Sequence, residues 1–487
     1  MTGNHFADVL LAPHRNRNTP FLLLDDRRTV TYAEFIELTG RLAQALKVQG
    51  MGAGDRLLAR FSKSPLNLAL HFACIRSGMV LVPASPALAE TELIALARSC
   101  GAIRILDARN VASLAELATR QDGNFDDCIR GPGDTAVVLL TSGTTGKPKA
   151  CILTHGNLVS NAQALAGAWG MTERDVVFHA LPIYHTHGLA ISTNAALAAG
   201  SAIRFLTTDA ATPVIEGIAK STVIMGTPRL YADLAGSDLL TRHMAAGVRL
   251  FISGGSPLGL TLLQEFKRRY GHDILERHGM TEASVSVSNP LHGERRAGTV
   301  GLALPGIDLR IVDPASGEAL PRGRLGSVEI RGPNVFAGYL DDDTATARVF
   351  RSDGYFITGD IGRLHEDGYL EIVARAGDLV VCGGELVDPR EIERVIDNHP
   401  GVLEAAVINV RKSQTSAAVL AIVVRRPGQT ITEQEILGAL AAQLDAKKLP
   451  QCVRFLDQLP RTGTGKVSKQ LLRDRFSVTA TDHVASR

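Results

Sequence analysis

The chain has 487 residues, of which 45% are hydrophobic and 21% charged, and its formal net charge is +2. This length and composition predict a globular protein of about two to four domains. The nearly balanced charge gives no electrostatic basis for binding nucleic acid or an acidic membrane surface, and so excludes both as leading interpretations.

The cysteines and the N-terminus predict where the protein works. The six cysteines are dispersed and form no CxxC pair, which favours a reducing compartment over a disulfide framework or a zinc site. The N-terminus has no basic start before a long apolar core, and no stretch of about 18 uncharged apolar residues occurs. We therefore expect a cytoplasmic protein without a secretion signal or a membrane span.

The first part of the chain alternates helical and strand patterns. In residues 29–50, Thr31 and Glu34 have capping-box spacing, and apolar residues then recur at helical spacing until Gly50. Strand patterns occur at 55–61, 102–107 and 248–253, and a helical pattern occurs at 258–271. This alternation predicts α/β layers.

A glycine-rich loop follows the apolar run 136–140. Its glycines let the backbone turn sharply, and its hydroxyl, N–H and ammonium groups are suited to holding an anion. The residues concerned are Thr141, Ser142, Gly143, Thr144, Thr145, Gly146 and Lys147. The spacing is not that of a Walker A motif, because two residues separate the glycines and Pro148 follows the lysine. A phosphate site and a plain surface loop are both compatible with this stretch alone.

The sequence pattern changes after about residue 300, where short strand patterns replace the alternation of strands and helices. Short strand patterns at 307–313, 325–332 and 368–375 are joined by turns rich in Gly and Pro, which predicts a β-rich subdomain. The last part, after the glycine-containing segment 374–384, has the pattern of a compact α+β unit.

Six separated stretches, taken together in their order, resemble the adenylate-forming superfamily of acyl-CoA synthetases, adenylation domains and luciferases. They are TSGTTGKPK (141–149), LPIYHTHGL (181–189), SGGSPL (253–258), ERHGMTEAS (276–284), YFITGDIGRL (355–364) and LPRTGTGKVSKQLLR (459–473). Within the superfamily, LFISGGSPL and ERRAGTVGLALPGI look most like malonyl-CoA synthetases.

The resemblance implies a fold and a reaction. The expected fold is α/β, with a large N-terminal domain (1–376) of α/β layers plus a β-barrel-like subdomain, and a small mobile α+β C-terminal domain (377–487). In the family, a carboxylate attacks the α-phosphate of ATP to give acyl-AMP and pyrophosphate, and coenzyme A then displaces AMP. The expected cofactors are ATP, Mg²⁺ and coenzyme A.

The resemblance also implies site residues. Thr141 to Lys147 would close over the β- and γ-phosphates, and Gly254, Gly255, Ser256, His278, Gly279 and Met280 would lie along the adenine and α-phosphate. Thr281 would bind the α-phosphate and Glu282 would hold Mg²⁺. Asp360 and Arg375 would bind the ribose, and Lys466 would bridge the carboxylate and the α-phosphate. The family usually has Tyr where His278 stands.

The malonyl-type resemblance implies an acid with a second carboxylate, which needs arginine in its pocket. Arg295 and Arg296 match that pattern, and His187 would border the acyl pocket. Where malonyl-CoA synthetases carry a basic residue this chain has Asp233, with Arg229 four positions earlier. Residues i and i+4 share a helix face, so Arg229 either takes over the role or pairs with Asp233.

The acceptor side departs from the family pattern. Gly377 stands at the hinge where Asp or Lys is usual, Leu386 replaces Asn, and the loop after VINV is short. A carrier-protein phosphopantetheine or an amine is therefore an alternative acceptor to free coenzyme A. Two other classes compete with the ligase interpretation: a phosphotransferase that forms ADP, and a non-catalytic acyl-adenylate binder.

Overall fold

The computed structural model describes residues 3–25, 27–141, 149–382, 385–411, 417–461 and 467–477. Its first part alternates strands and helices. The order is β1 (Pro20–Leu24), β2 (Thr29–Thr31), α1 (Tyr32–Val48), β3 (Arg56–Arg60), α2 (Pro65–Ser77), β4 (Val80–Ala84), α3 (Glu90–Ser99), β5 (Arg104–Leu106), α4 (Ala108–Thr119), β6 (Thr135–Leu140), β7 (Ala150–Thr154) and α5 (His155–Ala168).

The alternation continues to about residue 300. The elements are β8 (Val176–His179), α6 (Thr193–Ala199), β9 (Ala202–Phe205), α7 (Ala211–Ala219), β10 (Val223–Gly226), α8 (Pro228–Ala235), α9 (Arg242–Ala245), β11 (Leu250–Ser253), α10 (Leu260–Tyr270), β12 (Ile274–Met280), β13 (Ser284–Ser288) and β14 (Leu302–Ala303). Short π-helical segments lie at Ala7–Leu11 and His187–Ser192, and 3₁₀ turns at Ala12–His14, Ala376–Asp378 and Ala446–Lys448.

The rest of the chain is β-rich and then mixed. Its middle elements are β15 (Asp308–Val312), β16 (Leu325–Arg331), β17 (Gly338–Tyr339), α11 (Asp343–Val349), β18 (Phe356–Leu364), β19 (Leu370–Arg375), β20 (Val380–Cys382) and β21 (Glu385–Val387). The C-terminal unit comprises α12 (Pro389–Asp397), β22 (Val402–Arg411), β23 (Ala417–Arg425), α13 (Glu433–Ala441), β24 (Cys452–Leu456) and α14 (Lys469–Ser477).

Two large sheets form the main body. The first has the strand order β14-β13-β12-β11-β10-β8-β9-β1-β2, and its neighbouring strands between positions β12 and β1 of this order are parallel. The second has the strand order β17-β7-β6-β4-β3-β5. One continuous buried core contains residues of both sheets and of α1, α2, α5 and α6. The predicted α/β layers are thus confirmed. They place the carboxyl ends of β10, β11 and β12 side by side, because these three strands are parallel neighbours in the first sheet.

The later strands form separate sheets. An antiparallel sheet has the order β15-β16-β18-β19, and the C-terminal unit has a sheet in the order β22-β23-β24 with its own apolar core. This arrangement matches the expected β-rich subdomain and small α+β domain. The domain boundary at 376/377 stays a prediction. A Cβ on Gly377 would meet no atom within 4 Å, and Asp378 beside it binds Arg473 of α14 at 2.8 Å.

Local signals explain several element boundaries. Thr31 caps α1 in the predicted capping box with Glu34, and Ser64 caps α2, which has Pro65 in its first turn. The helix predicted over 258–271 runs from Leu260 to Tyr270, and it ends where Gly271 adopts a left-handed φ of 79°.

A buried histidine in this core makes stability depend on pH. His71 of α2 is fully buried, and its burial lowers the pKa of its ring from 6.5 to about 3. Between these values the unfolded chain binds a proton and the folded chain does not, so the free energy of unfolding falls by about 1.4 kcal/mol per pH unit on acidification. We expect His71→Leu to remove this contribution below pH 6.5, as measured by urea unfolding at several pH values. The exposed His243→Leu is the control, and parallel pH profiles for wild type and His71→Leu would contradict the prediction.

Candidate functional site

The segment ERHGMTE forms strand β12 and the tight turn into β13. His278, Gly279 and Met280 end the strand, and Thr281 and Glu282 lie in the turn, partly accessible. A Cβ on Gly279 would lie 1.9 Å from the carbonyl oxygen of Ser284, so only glycine fits this close approach. The turn therefore presents a hydroxyl and a carboxylate side by side, just beyond the carboxyl end of β12.

Glu282 is connected to the base of the glycine-rich loop. Its Oε1 accepts a hydrogen bond from the Tyr339 hydroxyl at 3.0 Å, and Lys149 Nζ lies 4.5 Å from the centre of the Tyr339 ring. Lys149 and Thr141 close the loop through a backbone bond of 2.8 Å and a second bond of 3.2 Å to Thr141 Oγ1. Burial, reinforced by the Glu282 carboxylate, raises the pKa of Tyr339, which keeps its hydroxyl a donor.

Without the Tyr339 hydroxyl, the Glu282 carboxylate should be held less firmly in place. We expect Tyr339→Phe to lower kcat/KM about tenfold and to raise the Mg²⁺ concentration needed for half-maximal rate, because a hydrogen bond to a charged group contributes about 1.5–3 kcal/mol. Pyrophosphate release over a MgCl₂ titration measures both effects. Tyr369→Phe, which removes a hydroxyl bound to the Glu294 carbonyl instead, is the matched control. An unchanged Mg²⁺ dependence in Tyr339→Phe would count against the role of this contact.

Asp360 is a buried carboxylate flanked by two partly exposed side chains, His278 and Arg375. Its side chain is 2% exposed, with His278 Nε2 at 2.9 Å from Oδ2 and Arg375 Nε at 3.0 Å from Oδ1. Burial acts to raise the pKa of Asp360, but the electrostatic effect of the neighbouring His278 and Arg375 side chains outweighs it and holds that pKa below its ordinary value. β18 and β19 bring Asp360 and Arg375 opposite each other, so the two ribose-binding residues expected from the sequence lie together.

The SGGSPL segment forms the loop after β11. Gly254 is buried and its N–H donates to the Gly226 carbonyl at 3.2 Å, Gly255 has a left-handed φ of 97°, and Ser256 is exposed. A Cβ on Gly254 would lie 2.3 Å from the guanidinium carbon of Arg277. The loop thus leaves room for an arginine side chain of the neighbouring strand.

Arg277, in the ERHGMTE segment, is a buried arginine to which the sequence motifs gave no role. It is 5% exposed, and within the described part of the chain its Nε and Nη2 have no hydrogen-bond partner. Burial lowers the pKa of Arg277 to about 10, which still leaves it charged at neutral pH. The signal was present in the sequence, since strand alternation puts Arg277 on the same face as the core residue Leu275.

The three arginines predicted to bind the acid contact oxygen atoms of the protein in this structure. Arg229 is 75% exposed and lies 3.6 Å from Asp233, which is the pairing alternative stated above. Arg295 donates to the Asp273 carbonyl at 2.6 Å, and Arg296 binds Asp367 at 2.5 Å. His187 begins the π-helical segment after β8. Their contact with substrate stays a prediction.

Two groups of predicted residues lie outside the described residues. They are Ser142, Gly143, Thr144, Thr145, Gly146 and Lys147 of the phosphate loop, and the catalytic candidate Lys466. Their roles stay predictions from the sequence.

Comparison with known proteins decides the family. The model of the AMP-binding enzyme family matches residues 11–340, and that of the AMP-binding enzyme C-terminal domain matches residues 391–466. The chain belongs to the AMP-binding enzyme family. Feruloyl-CoA synthase of Amycolatopsis sp is 32% identical over 464 residues, covering 92% of this chain and 94% of that protein. Malonate–CoA ligase of Arabidopsis thaliana is 34% identical over 384 residues, covering 72% of this chain and 62% of that protein.

Solved structures of similar proteins support the same fold. ATP-bound MatB from Rhodopseudomonas palustris is similar with a TM-score of 0.93 and 39% identity, covering 99% of this chain and 100% of that one. The apo form of MatB gives a TM-score of 0.81 at the same identity and coverage. The overall arrangement of this AMP-binding enzyme is therefore closer to the ATP-bound form.

Membership in this family gives the reaction class. The protein is an ATP-dependent, AMP-forming acyl-CoA ligase that uses coenzyme A and Mg²⁺. Within the described ranges no cluster of three or more His, Cys, Asp or Glu side chains could hold a metal by itself. Glu282 nevertheless fits Mg²⁺, which is often held by one or two carboxylates together with substrate phosphates. None of the helices in the described part of the chain is both long and apolar enough to span a membrane.

Proposed function

We propose that this ligase activates a small dicarboxylic acid, with malonate as the first candidate, and transfers it to coenzyme A. Arg277 carries the proposal. A buried guanidinium with unused donors is costly in free energy unless an anion reaches it, and a planar carboxylate matches its geometry. The similarity to the malonate–CoA ligase of Arabidopsis thaliana supports the same acid class.

The position of Arg277 fits an acid bound next to the nucleotide. Its guanidinium lies against the backbone of Gly254, which is expected along the adenine and α-phosphate, while its neighbour His278 points to the other face of β12. An acid whose first carboxylate faces the α-phosphate could turn its second carboxylate toward Arg277. Acids with one carboxylate would leave this charge without an anion, and should bind less well.

The remaining residues have the following proposed roles. Thr141 to Lys147 hold the β- and γ-phosphates, Thr281 donates to the α-phosphate, and Glu282, positioned by Tyr339, holds Mg²⁺. Asp360 accepts the ribose hydroxyls and Arg375 orients it. Lys466 stabilises the charge that develops between the attacking carboxylate and the α-phosphate. Mg²⁺, when bound, neutralises phosphate charge.

The experiment is pyrophosphate release from ATP with malonate, methylmalonate, succinate, acetate, a medium-chain fatty acid and ferulate, each with and without coenzyme A. We expect malonate or a close dicarboxylate to give the highest kcat/KM, with AMP as product and the acyl-CoA formed only when coenzyme A is present. Preference for ferulate or acetate would contradict the dicarboxylate proposal. Release that coenzyme A does not accelerate would instead favour a carrier protein or an amine as acceptor, and ADP as product would indicate phosphotransfer.

A further inference from the structure

Arg390 links the C-terminal unit to the antiparallel sheet that carries Asp360. It lies in the first turn of α12, where the Asp388 side chain caps the helix by accepting from the Arg390 N–H at 2.8 Å. Its own side chain leaves this unit, because Nη1 donates to the carbonyl oxygen of Ile372 in β19 at 2.9 Å. One arginine therefore joins two parts of the molecule that have separate sheets and separate cores.

The charge of Arg390 also acts on two carboxylates of the site. Burial raises the pKa of Glu276, the neighbour of Arg277 on β12, to about 7, and the Leu258 N–H and the Arg390 charge oppose this rise. Asp360 is a second carboxylate on which the positive charge of Arg390 acts, after those of His278 and Arg375. Arg390 thus stands close to strands of both sheets that contribute to the candidate nucleotide site.

This contact is present in an arrangement of the chain that is closer to the ATP-bound form of MatB than to its apo form. We infer that Arg390 is a positioning residue for the adenylate-forming step, and that it holds the C-terminal unit against the nucleotide site through Ile372. The inference rests on the nucleotide roles proposed above for Asp360 and its neighbours. It assigns to Arg390 a contribution to the first half-reaction and none to the transfer to coenzyme A.

The first test is binding of a non-hydrolysable ATP analogue, AMPCPP with Mg²⁺, measured by calorimetry on the full chain. We expect Arg390→Ala to weaken binding about tenfold, because the fraction of molecules with the C-terminal unit in place falls. Arg390→Lys should recover part of the loss. Arg394→Ala is the matched control, since Arg394 is an exposed arginine one turn later on α12, with a bond to the Arg390 carbonyl. Equal affinities for Arg390→Ala and Arg394→Ala would overturn the inference.

The second test separates the half-reactions. Malonate-dependent exchange of pyrophosphate into ATP should fall about tenfold or more in Arg390→Ala. Release of coenzyme A from malonyl-CoA and AMP, which is the reverse of the second half-reaction, should stay within about twofold of wild type. A similar loss in both assays, or in neither, would refute a role confined to the first step. If the wild-type protein binds AMPCPP but does not turn over malonate, malonate is not its substrate. The AMPCPP affinities of Arg390→Ala and Arg394→Ala would still decide the role of Arg390.

Discussion

Replacing Arg277 by methionine is expected to abolish the preference for dicarboxylic acids. Removing one partner of a buried charge pair costs about 3–4 kcal/mol, so kcat/KM for malonate should fall about a hundred- to a thousandfold. The value for acetate should change far less, because acetate has no second carboxylate to lose a partner. The acid panel with pyrophosphate detection measures both constants.

The controls for Arg277→Met separate binding from folding. Methionine is close in length and apolar, and replacing a buried charge by such a residue is often neutral or stabilising, so the free energy of unfolding should not fall. Arg229→Met tests the arginine that the sequence placed either in the acid pocket or in a pair with Asp233, and it should leave malonate turnover nearly unchanged because Arg229 is exposed and lies beside Asp233. If Arg229→Met loses malonate activity and Arg277→Met keeps it, the assignment of Arg277 is wrong.

The second large effect is expected at Asp360. Asp360→Asn removes the carboxylate charge that lies between His278 and Arg375. It also takes away one of the two oxygen acceptors proposed for the ribose hydroxyls. Hydrogen bonds to a charged group contribute about 1.5–3 kcal/mol each, so losing this carboxylate as a ribose acceptor should lower kcat/KM for ATP about a hundredfold. The loss should appear in the KM for ATP and leave the KM for the acid nearly unchanged.

Asp367→Asn is the matched control for this prediction. Asp367 also pairs with an arginine, Arg296, but it is 49% exposed, and a surface pair of this kind contributes little. AMPCPP binding measured by calorimetry provides a second readout that does not depend on the identity of the acid. Wild-type affinity for AMPCPP in Asp360→Asn would show that this carboxylate does not bind the nucleotide.

The sequence could predict the parts of the site that depend on local pattern. The turn with Thr281 and Glu282, the glycines that precede it, and the acidic residue in the TGD stretch are all recognisable from short motifs. The structure then brings Asp360 and Arg375 opposite each other on neighbouring strands. Alternating strands and helices likewise predicted the α/β layers, because hydrophobic periodicity is a local property.

The rest depends on contacts between distant segments. Tyr339 reaches Glu282 across 57 residues of sequence, and His278 reaches Asp360 on a strand of another sheet. Positive charge in a motif indicates anion binding and surface pairing equally well, so the pattern could not separate the exposed Arg229 from the buried Arg277. Burial distinguishes the two arginines, and burial is a property of the assembled fold.

The close fit between Gly254 and Arg277 restricts the order in which the acid preference could change. A side chain at position 254 would have to displace the guanidinium at the end of the Arg277 side chain. Loss of the arginine frees that volume, and a larger residue at 254 can then fill it. Under the proposed role of Arg277, a larger residue at position 254 should therefore be tolerated best after the change at 277, and a library that varies position 254 alone should mainly return enzymes with a weakened preference for dicarboxylic acids.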